Sequence, residues 1–147
     1  YAGQLITGHP LSVTVQTNAG IYKNGMSAGI PNCPQVGLHW AAAIGSLLKN
    51  PRKQLQLLED ITPEVLRAAA ELIEKDQVSV RLNTEISELF VRCTLCSEAE
   101  TVTATIRSAH TNLVQLEKCI SKCILISAEN VLAEAGIVLK LMLLVQP

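Results

Sequence analysis

The sequence predicts an α+β domain in which an antiparallel β meander packs against several helices. Helical patterns occupy the first half of the chain, and the apolar period changes to two from Gln77 onwards. Short polar breaks separate the alternating segments, as in hairpins. A length of 147 residues suits one ordinary domain. We therefore expect residues 1–147 to form a single α+β domain.

The first strand is predicted at residues 11–16, where apolar and polar side chains alternate. Residues 17–34 follow and contain Gly20, Gly25 and Gly29 together with two prolines. This composition predicts a long irregular loop, and loops of that length in compact domains are commonly functional.

Two helices are predicted before the meander. Residues 36–48 are apolar on almost every face, which indicates a buried helix. Thr62 is suited to cap a second helix, with Pro63 at its first position and Glu64 in its first turn.

The strands of the meander are predicted from alternating apolar residues at 78–82, 89–95, 102–106 and 114–116. The breaks at 96–100, 108–111 and 118–122 are short enough for hairpins, so one face of the sheet should be buried. A further short strand is expected at 123–126, followed by a helix capped by Ser127.

Composition limits the class of protein and its partners. The chain is 48% hydrophobic but only 3% aromatic, so its core should be aliphatic. A net charge of −1 gives no electrostatic reason to expect binding to nucleic acid or an anionic membrane. There is no signal-peptide pattern, and the apolar residues 137–145 are too few to span a bilayer. Five cysteines, an odd number, argue against a secreted disulfide framework, so we expect a cytoplasmic protein.

The densest local signal surrounds Lys23 and Asn24, which precede Gly25 in the glycine-containing stretch. Glycine allows the backbone to approach a ligand closely, and an ammonium beside an amide suits a small carboxylate substrate. The spacing of a nucleotide-binding P-loop is absent. The alternative is a glycine-rich turn with a solvated lysine.

A second signal is His110-Thr111-Asn112, at a predicted tight turn between two strands. Histidine can act as an acid, a base or a ligand near neutral pH, with Asn112 as a neutral hydrogen-bonding partner. The alternative is a β-turn in which Thr111 and Asn112 satisfy the local backbone.

Two close cysteine pairs, Cys93 with Cys96 and Cys119 with Cys123, have the general form of a structural zinc site. Against this, Cys93 belongs to the same alternating set as the inward-facing apolar residues of its strand, and a buried thiol there behaves as a small hydrophobic side chain. Cys33 has no neighbour that would activate it, and it is expected to pack.

Taken in order, several segments resemble the L-cysteine desulfidase family, which is distantly akin to the iron–sulfur L-serine dehydratases. The resemblance covers most of residues 12–116 and is carried by the segments at 22–25, 29–31, 36–45 and 77–80 and by His110-Thr111-Asn112. Two positions depart from the family pattern, since Asn32 and Ala109 stand where the family favours glycine.

The resemblance implies elimination of sulfide or water from L-cysteine or L-serine, giving pyruvate and ammonia. It implies His110 and Lys23 as catalytic residues, with Asn24, Gly25, Thr111 and Asn112 binding substrate. Enzymes of that family use a 4Fe-4S cluster held by cysteines. None of the five cysteines of this chain falls at those positions, so the resemblance assigns no metal ligand here. The chain is therefore expected to be an amino-terminal fragment, inactive alone and partnered by a missing carboxy-terminal catalytic portion.

Two other functions remain open. One is a non-catalytic module that binds or senses a small amino acid, and the other is a structural zinc domain built on the cysteine pairs. The apolar residues 137–145 predict an exposed patch that the missing portion or a second copy of the chain, in a homodimer, would cover.

Overall fold

The computed structural model describes residues 1–120, and the strand and helix predicted beyond residue 122 lie outside the described residues. Four α-helices, a 3-10 segment and five strands make up this part of the chain. In order they are α1 (Ala2–Leu5), β1 (Ser12–Asn18), α2 (Ala19–Gly25), α3 (Leu38–Leu47), the 3-10 segment (Pro51–Asp60), α4 (Pro63–Glu74), β2 (Val78–Asn83), β3 (Phe90–Cys96), β4 (Glu100–Arg107) and β5 (Leu113–Ile120).

The five strands form one mixed sheet in the order β2-β1-β3-β4-β5. The α+β prediction is confirmed, and β3, β4 and β5 form an antiparallel meander. The strand predicted at 78–82 does not belong to that meander, because β2 lies at the sheet edge beyond β1. β1 pairs with β3 in antiparallel fashion but with β2 in parallel fashion, a pairing that the prediction does not include. Parallel strands need a long crossover, which here carries α2, α3 and α4. The break predicted at 118–122 is wrong for residues 118–120, because β5 continues to Ile120, which pairs with Glu100.

The helices cover one face of the sheet, and the hydrophobic core lies between the helices and that face. α3 packs against α1, α4, β1 and β2. Its Ile44 is fully buried with Val13, Leu95 and Val102 from the strands, as expected for a buried helix. The predicted start of α4 is confirmed, because the Thr62 hydroxyl accepts a hydrogen bond from the Val65 amide at 3.3 Å. Within residues 1–120, no helix combines the length and apolar character needed to cross a membrane.

The prediction of an irregular loop over residues 17–34 is wrong in its first half. Thr17 and Asn18 complete β1, and the next seven residues form α2. Gly20 and Gly25 are not in the positive-φ region. A Cβ at Gly25 would lie 2.7 Å from Leu38 Cγ, so this glycine permits close packing between α2 and α3.

The other face of the sheet carries mostly polar side chains. Phe90 is an exception: it is 1% exposed, with the guanidinium groups of Arg92 and Arg107 lying 5.4 and 5.7 Å from its ring centroid. Next to it, Arg92 Nε donates to the Thr105 hydroxyl at 3.2 Å, and that hydroxyl donates to Gln115 Oε1 at 2.8 Å. Phe90 is therefore buried beneath polar and charged side chains on this face.

Candidate functional site

The two segments predicted to bind substrate leave the sheet at the same end. β1 ends at Asn18 and leads into α2, while β4 ends at Arg107 and leads into the turn at residues 108–112. The antiparallel register pairs Thr17 with Val91 and Arg107 with Phe90, so both exits lie beside the start of β3. We call this end of the sheet, with α2, residues 84–89 and the turn at 108–112, the loop edge. Strands β1 and β4 are separated there by roughly 10 Å, two strand spacings.

α2 is anchored at its start and exposed at its end. Asn18 is 7% exposed, and its side-chain Oδ1 accepts a hydrogen bond from the Phe90 amide at 3.3 Å. This contact ties the first residue of the connection to β3. Lys23 and Asn24 are exposed one turn later, and their side chains form no hydrogen bond or ion pair with any residue from 1 to 120. Both side chains are therefore accessible to a ligand.

The turn at 108–112 is held by its own backbone and by Asn112. The Asn112 amide side chain donates to the Arg107 carbonyl at 2.9 Å, and its backbone N–H donates to the Ala109 carbonyl at 3.1 Å. Ser108 adopts the left-handed conformation with φ 66°, whereas Ala109 does not have positive φ. The turn therefore accommodates an alanine at position 109 without a positive φ. Asn32 has φ 59°, a conformation that asparagine tolerates well.

His110 and Thr111 lie at the tip of this turn, and both are exposed. Since Asn112 is used to hold the turn, it positions His110 through the backbone while retaining its side-chain oxygen as an acceptor. No hydrogen bond or ion pair within residues 1–120 joins this turn to α2. Within the described residues, the fold brings the two predicted segments to one edge without a hydrogen bond or ion pair between them.

Two charged residues at the loop edge are missing from the sequence prediction. Glu88 accepts hydrogen bonds from the Ser108 hydroxyl at 2.8 Å and from Arg107 Nε at 3.0 Å. The Ser108 hydroxyl, followed by Arg107, lowers the pKa of Glu88, so this carboxylate remains ionised near neutral pH. Glu88 and Arg107 lie 19 residues apart, and only the pairing of β3 with β4 reveals that they meet.

The cysteines do not converge within the described part of the chain. Side chains three residues apart on a strand point to opposite faces, so Cys93 and Cys96 cannot share one ion while β3 stays intact. Burial raises the pKa of the Cys93 thiol to about 11, which keeps it protonated. Among residues 1–120, no three Cys, His, Asp or Glu side chains are grouped to hold a metal ion, and Cys123 lies outside them. These residues therefore do not fit a 4Fe-4S cluster, whose thiolates must converge.

Comparison with known proteins finds relatives that are much longer than this chain. A UPF0597 protein of Bacteroides fragilis is 33% identical over 118 residues, which are 80% of this chain and 28% of that protein. UPF0597 proteins of Vibrio campbellii and Alkaliphilus oremlandii are 32% and 35% identical, over 74% and 69% of this chain and 26% and 24% of their own lengths. The chain thus spans about a quarter of the curated relatives that it matches. No family model and no solved structure matches the chain.

Proposed function

We propose that this chain supplies the substrate-binding part of a longer cytoplasmic lyase that eliminates sulfide or water from L-cysteine or L-serine. The observation that carries the proposal is the position of Lys23 and His110 at the same end of the sheet, on exposed segments. The resemblance to cysteine desulfidases supplies the reaction. The name UPF0597 specifies no activity, so the proposed chemistry rests on the residues and the resemblance.

The residues of the loop edge suit the two ends of a small amino acid. The Lys23 ammonium pairs with the α-carboxylate, and the Asn24 amide donates a further hydrogen bond to it. Gly25, whose N–H belongs to the last turn of α2, serves by letting α2 pack closely against Leu38. The His110 imidazole accepts the α-proton, while Thr111 and the remaining acceptor of Asn112 bind the substrate ammonium. Glu88, already paired with Arg107, adds a fixed negative charge near this ammonium.

The elimination removes one proton from the α-carbon and one leaving group from the β-carbon. Transfer of the α-proton to His110 leaves an electron pair that forms the double bond as hydrosulfide or hydroxide departs from the β-carbon. The product, 2-aminoacrylate, tautomerises to an imine that water hydrolyses to pyruvate and ammonia. Because the described residues do not fit a 4Fe-4S cluster, we assign the cluster and its ligands to the remainder of the longer protein. This chain alone is then inactive.

The proposal is tested by Lys23→Ala and His110→Ala in the longer protein that contains this chain, with pyruvate formation from each amino acid as the readout. His110→Ala should lower kcat/KM at least a hundred-fold, as expected for loss of a general base. Lys23→Ala should raise KM about ten-fold or more, because a charged hydrogen bond to the carboxylate is lost. Unchanged kcat/KM in both variants refutes the assignment.

Matched controls come from the opposite end of the sheet. His9 precedes β1 and Lys75 follows α4 just before β2, and both residues are exposed. His9→Ala and Lys75→Ala remove the same chemical groups without touching the loop edge, so kcat/KM should stay within two-fold of the parent. Equal losses in the controls would show a general effect of charge or stability instead of a site.

A second function, an amino-acid-binding module without catalysis, would use the same exposed Lys23 and His110 segments at the loop edge. Calorimetric titration of the longer protein with L-cysteine and L-serine distinguishes the two. Binding without pyruvate formation, in protein shown to carry its full complement of metal, favours the module. The third function, a structural zinc domain, would need ligands other than the pair Cys93 and Cys96.

A further inference from the structure

A half-open cleft of about 270 Å³ lies between the helix-covered face of the sheet and the helices α1, α2 and α3. Strand side chains such as Val91, Ala104 and Ile106 line one side, and Ile21 and Ala42 line the helical side. Among residues 1–120, no Asp, Glu, Lys, Arg or His side chain lines the cleft. Its surface is therefore suited to an apolar partner.

The end of the cleft nearest the loop edge is lined by aliphatic side chains. The terminal ammonium of Tyr1 lies on the α1 side, next to Cys93. The register pairs Cys93 with Ala104, and it places Val91 opposite Ile106 at the next inward-facing pair towards the loop edge. Val91 and Ile106 remain partly exposed, although they belong to the face that the helices cover. An aliphatic surface is thus accessible beyond Tyr1.

The chain itself contains a segment of matching character. In residues 137–145, eight of the nine side chains are apolar, and Lys140 is the exception. This segment lies outside the described residues. Leaving both the segment and the cleft in water would be unfavourable, because burial of apolar surface is the main driving force of folding. The long stem of Lys140 allows its ammonium to stay in water when its neighbours are buried.

The segment can reach the cleft from the end of β5. Ile120 pairs with Glu100 at the end of the sheet opposite the loop edge, and Lys118 Nζ donates to the Leu5 carbonyl of α1 at 2.9 Å. Sixteen residues, 121–136, separate Ile120 from the segment, and they can span at most roughly 55 Å. β4, which contributes Ala104 and Ile106 to the cleft, has eight residues and a length of roughly 26 Å. The connection is therefore long enough to return along the sheet.

We propose that residues 137–145 dock on the cleft of the same chain, with their apolar side chains against Val91 and Ile106. A second copy would offer the same residues. However, a tethered segment binds at an effective concentration in roughly the millimolar range, and it does not lose the translational freedom of a separate molecule. Because Ile21 lines the cleft, the docked segment also supports α2, the helix that carries Lys23. Docking of this kind is independent of the proposed lyase activity.

The contact is tested in the 147-residue chain by NMR of isotope-labelled methyl groups. We expect nuclear Overhauser effects between the methyl groups of Val91 and Ile106 and those of the leucines in residues 139–144. An isotope-filtered spectrum of an equal mixture of labelled and unlabelled chains separates contacts within one chain from contacts between copies. The proposal is overturned if these effects are missing from the parent chain, or if they arise between copies.

Two variants, Leu139→Asp and Leu141→Asp, test whether the contact stabilises the fold. Residues two apart lie on opposite sides of a helix, whereas in a strand both would share the side opposite Lys140. In either conformation at least one carboxylate meets the cleft, and that variant should lose the Overhauser effects and lower Tm by roughly 5 °C or more. Leu11→Asp is the matched control, because Leu11 is 48% exposed, and its change in Tm should be less than half as large. Decreases no larger than that of the control in both segment variants would also overturn the proposal.

Discussion

Replacing Thr17 by valine should stabilise the protein, although it removes a polar group. Among residues 1–120 the Thr17 hydroxyl has no hydrogen-bond partner, and burying such a group costs roughly 1–3 kcal/mol. Valine has nearly the same shape, replaces the hydroxyl by a methyl group and suits a β-strand at least as well. We expect the free energy of unfolding to rise by about 1 kcal/mol, which corresponds to an increase in Tm of roughly 2–4 °C for a domain of this size.

The matched control is Thr105→Val, at a second threonine that is 2% exposed. Its hydroxyl bonds to both Arg92 and Gln115, so the same substitution should lower stability by about 1–2 kcal/mol. Urea unfolding of both variants, followed by circular dichroism, measures the difference. A loss of about 1 kcal/mol or more in Thr17→Val would show that its hydroxyl has a hydrogen-bond partner and would contradict this reasoning.

Two further predictions concern the packing of the amino-terminal segment. A Cβ at Gly3 would lie within 2.9 Å of three backbone carbonyl oxygens at the carboxyl end of α3. Gly3→Ala should therefore lower the free energy of unfolding in urea by about 2 kcal/mol or more. In the control, Gly29→Ala, the new Cβ would meet no atom within 4 Å, and the change should be less than half as large. Hydrogen bonds from the Thr7 amide and Lys118 lower the pKa of Glu100 to about 2 from its ordinary 4.5, so the stability this carboxylate contributes is complete above pH 4.5 and is lost as the pH falls towards 2. Glu100→Gln should therefore lower the urea midpoint at pH 7 and flatten its acid dependence, whereas parallel pH profiles of parent and variant would contradict this.

Local patterns were sufficient for most of the fold. The alternation in β3, β4 and β5 and the cap at Thr62 are short-range features, and the structure has them where the sequence predicts them. α2 escaped prediction because a seven-residue helix with two glycines has almost no local signal. The parallel pairing of β1 with β2 joins segments some 60 residues apart, and no local pattern encodes it.

The site was less predictable than the fold. Lys23 and His110 could be singled out by residue type, but their common edge depends on the sheet order β1-β3-β4. Glu88 and Arg107 meet only through the register of two strands. The sequence places Thr17 in the loop because it directly precedes the glycine-containing stretch, whereas the structure buries it near the end of β1. In each case the decisive contact is long-range, so residue type and spacing alone could not show it.

The most direct measurement is a double-mutant cycle on Lys23→Ala and His110→Ala in the longer protein, with kcat/KM for L-cysteine and L-serine at each corner. If the two residues act on one bound amino acid, the fold-loss in kcat/KM of the double variant should be at least ten times smaller than the product of the two single fold-losses. The reason is that a substrate misplaced by the loss of Lys23 no longer benefits from the base at His110. Two single losses that multiply within a factor of two would contradict the proposal that α2 and the turn at 108–112 serve one site.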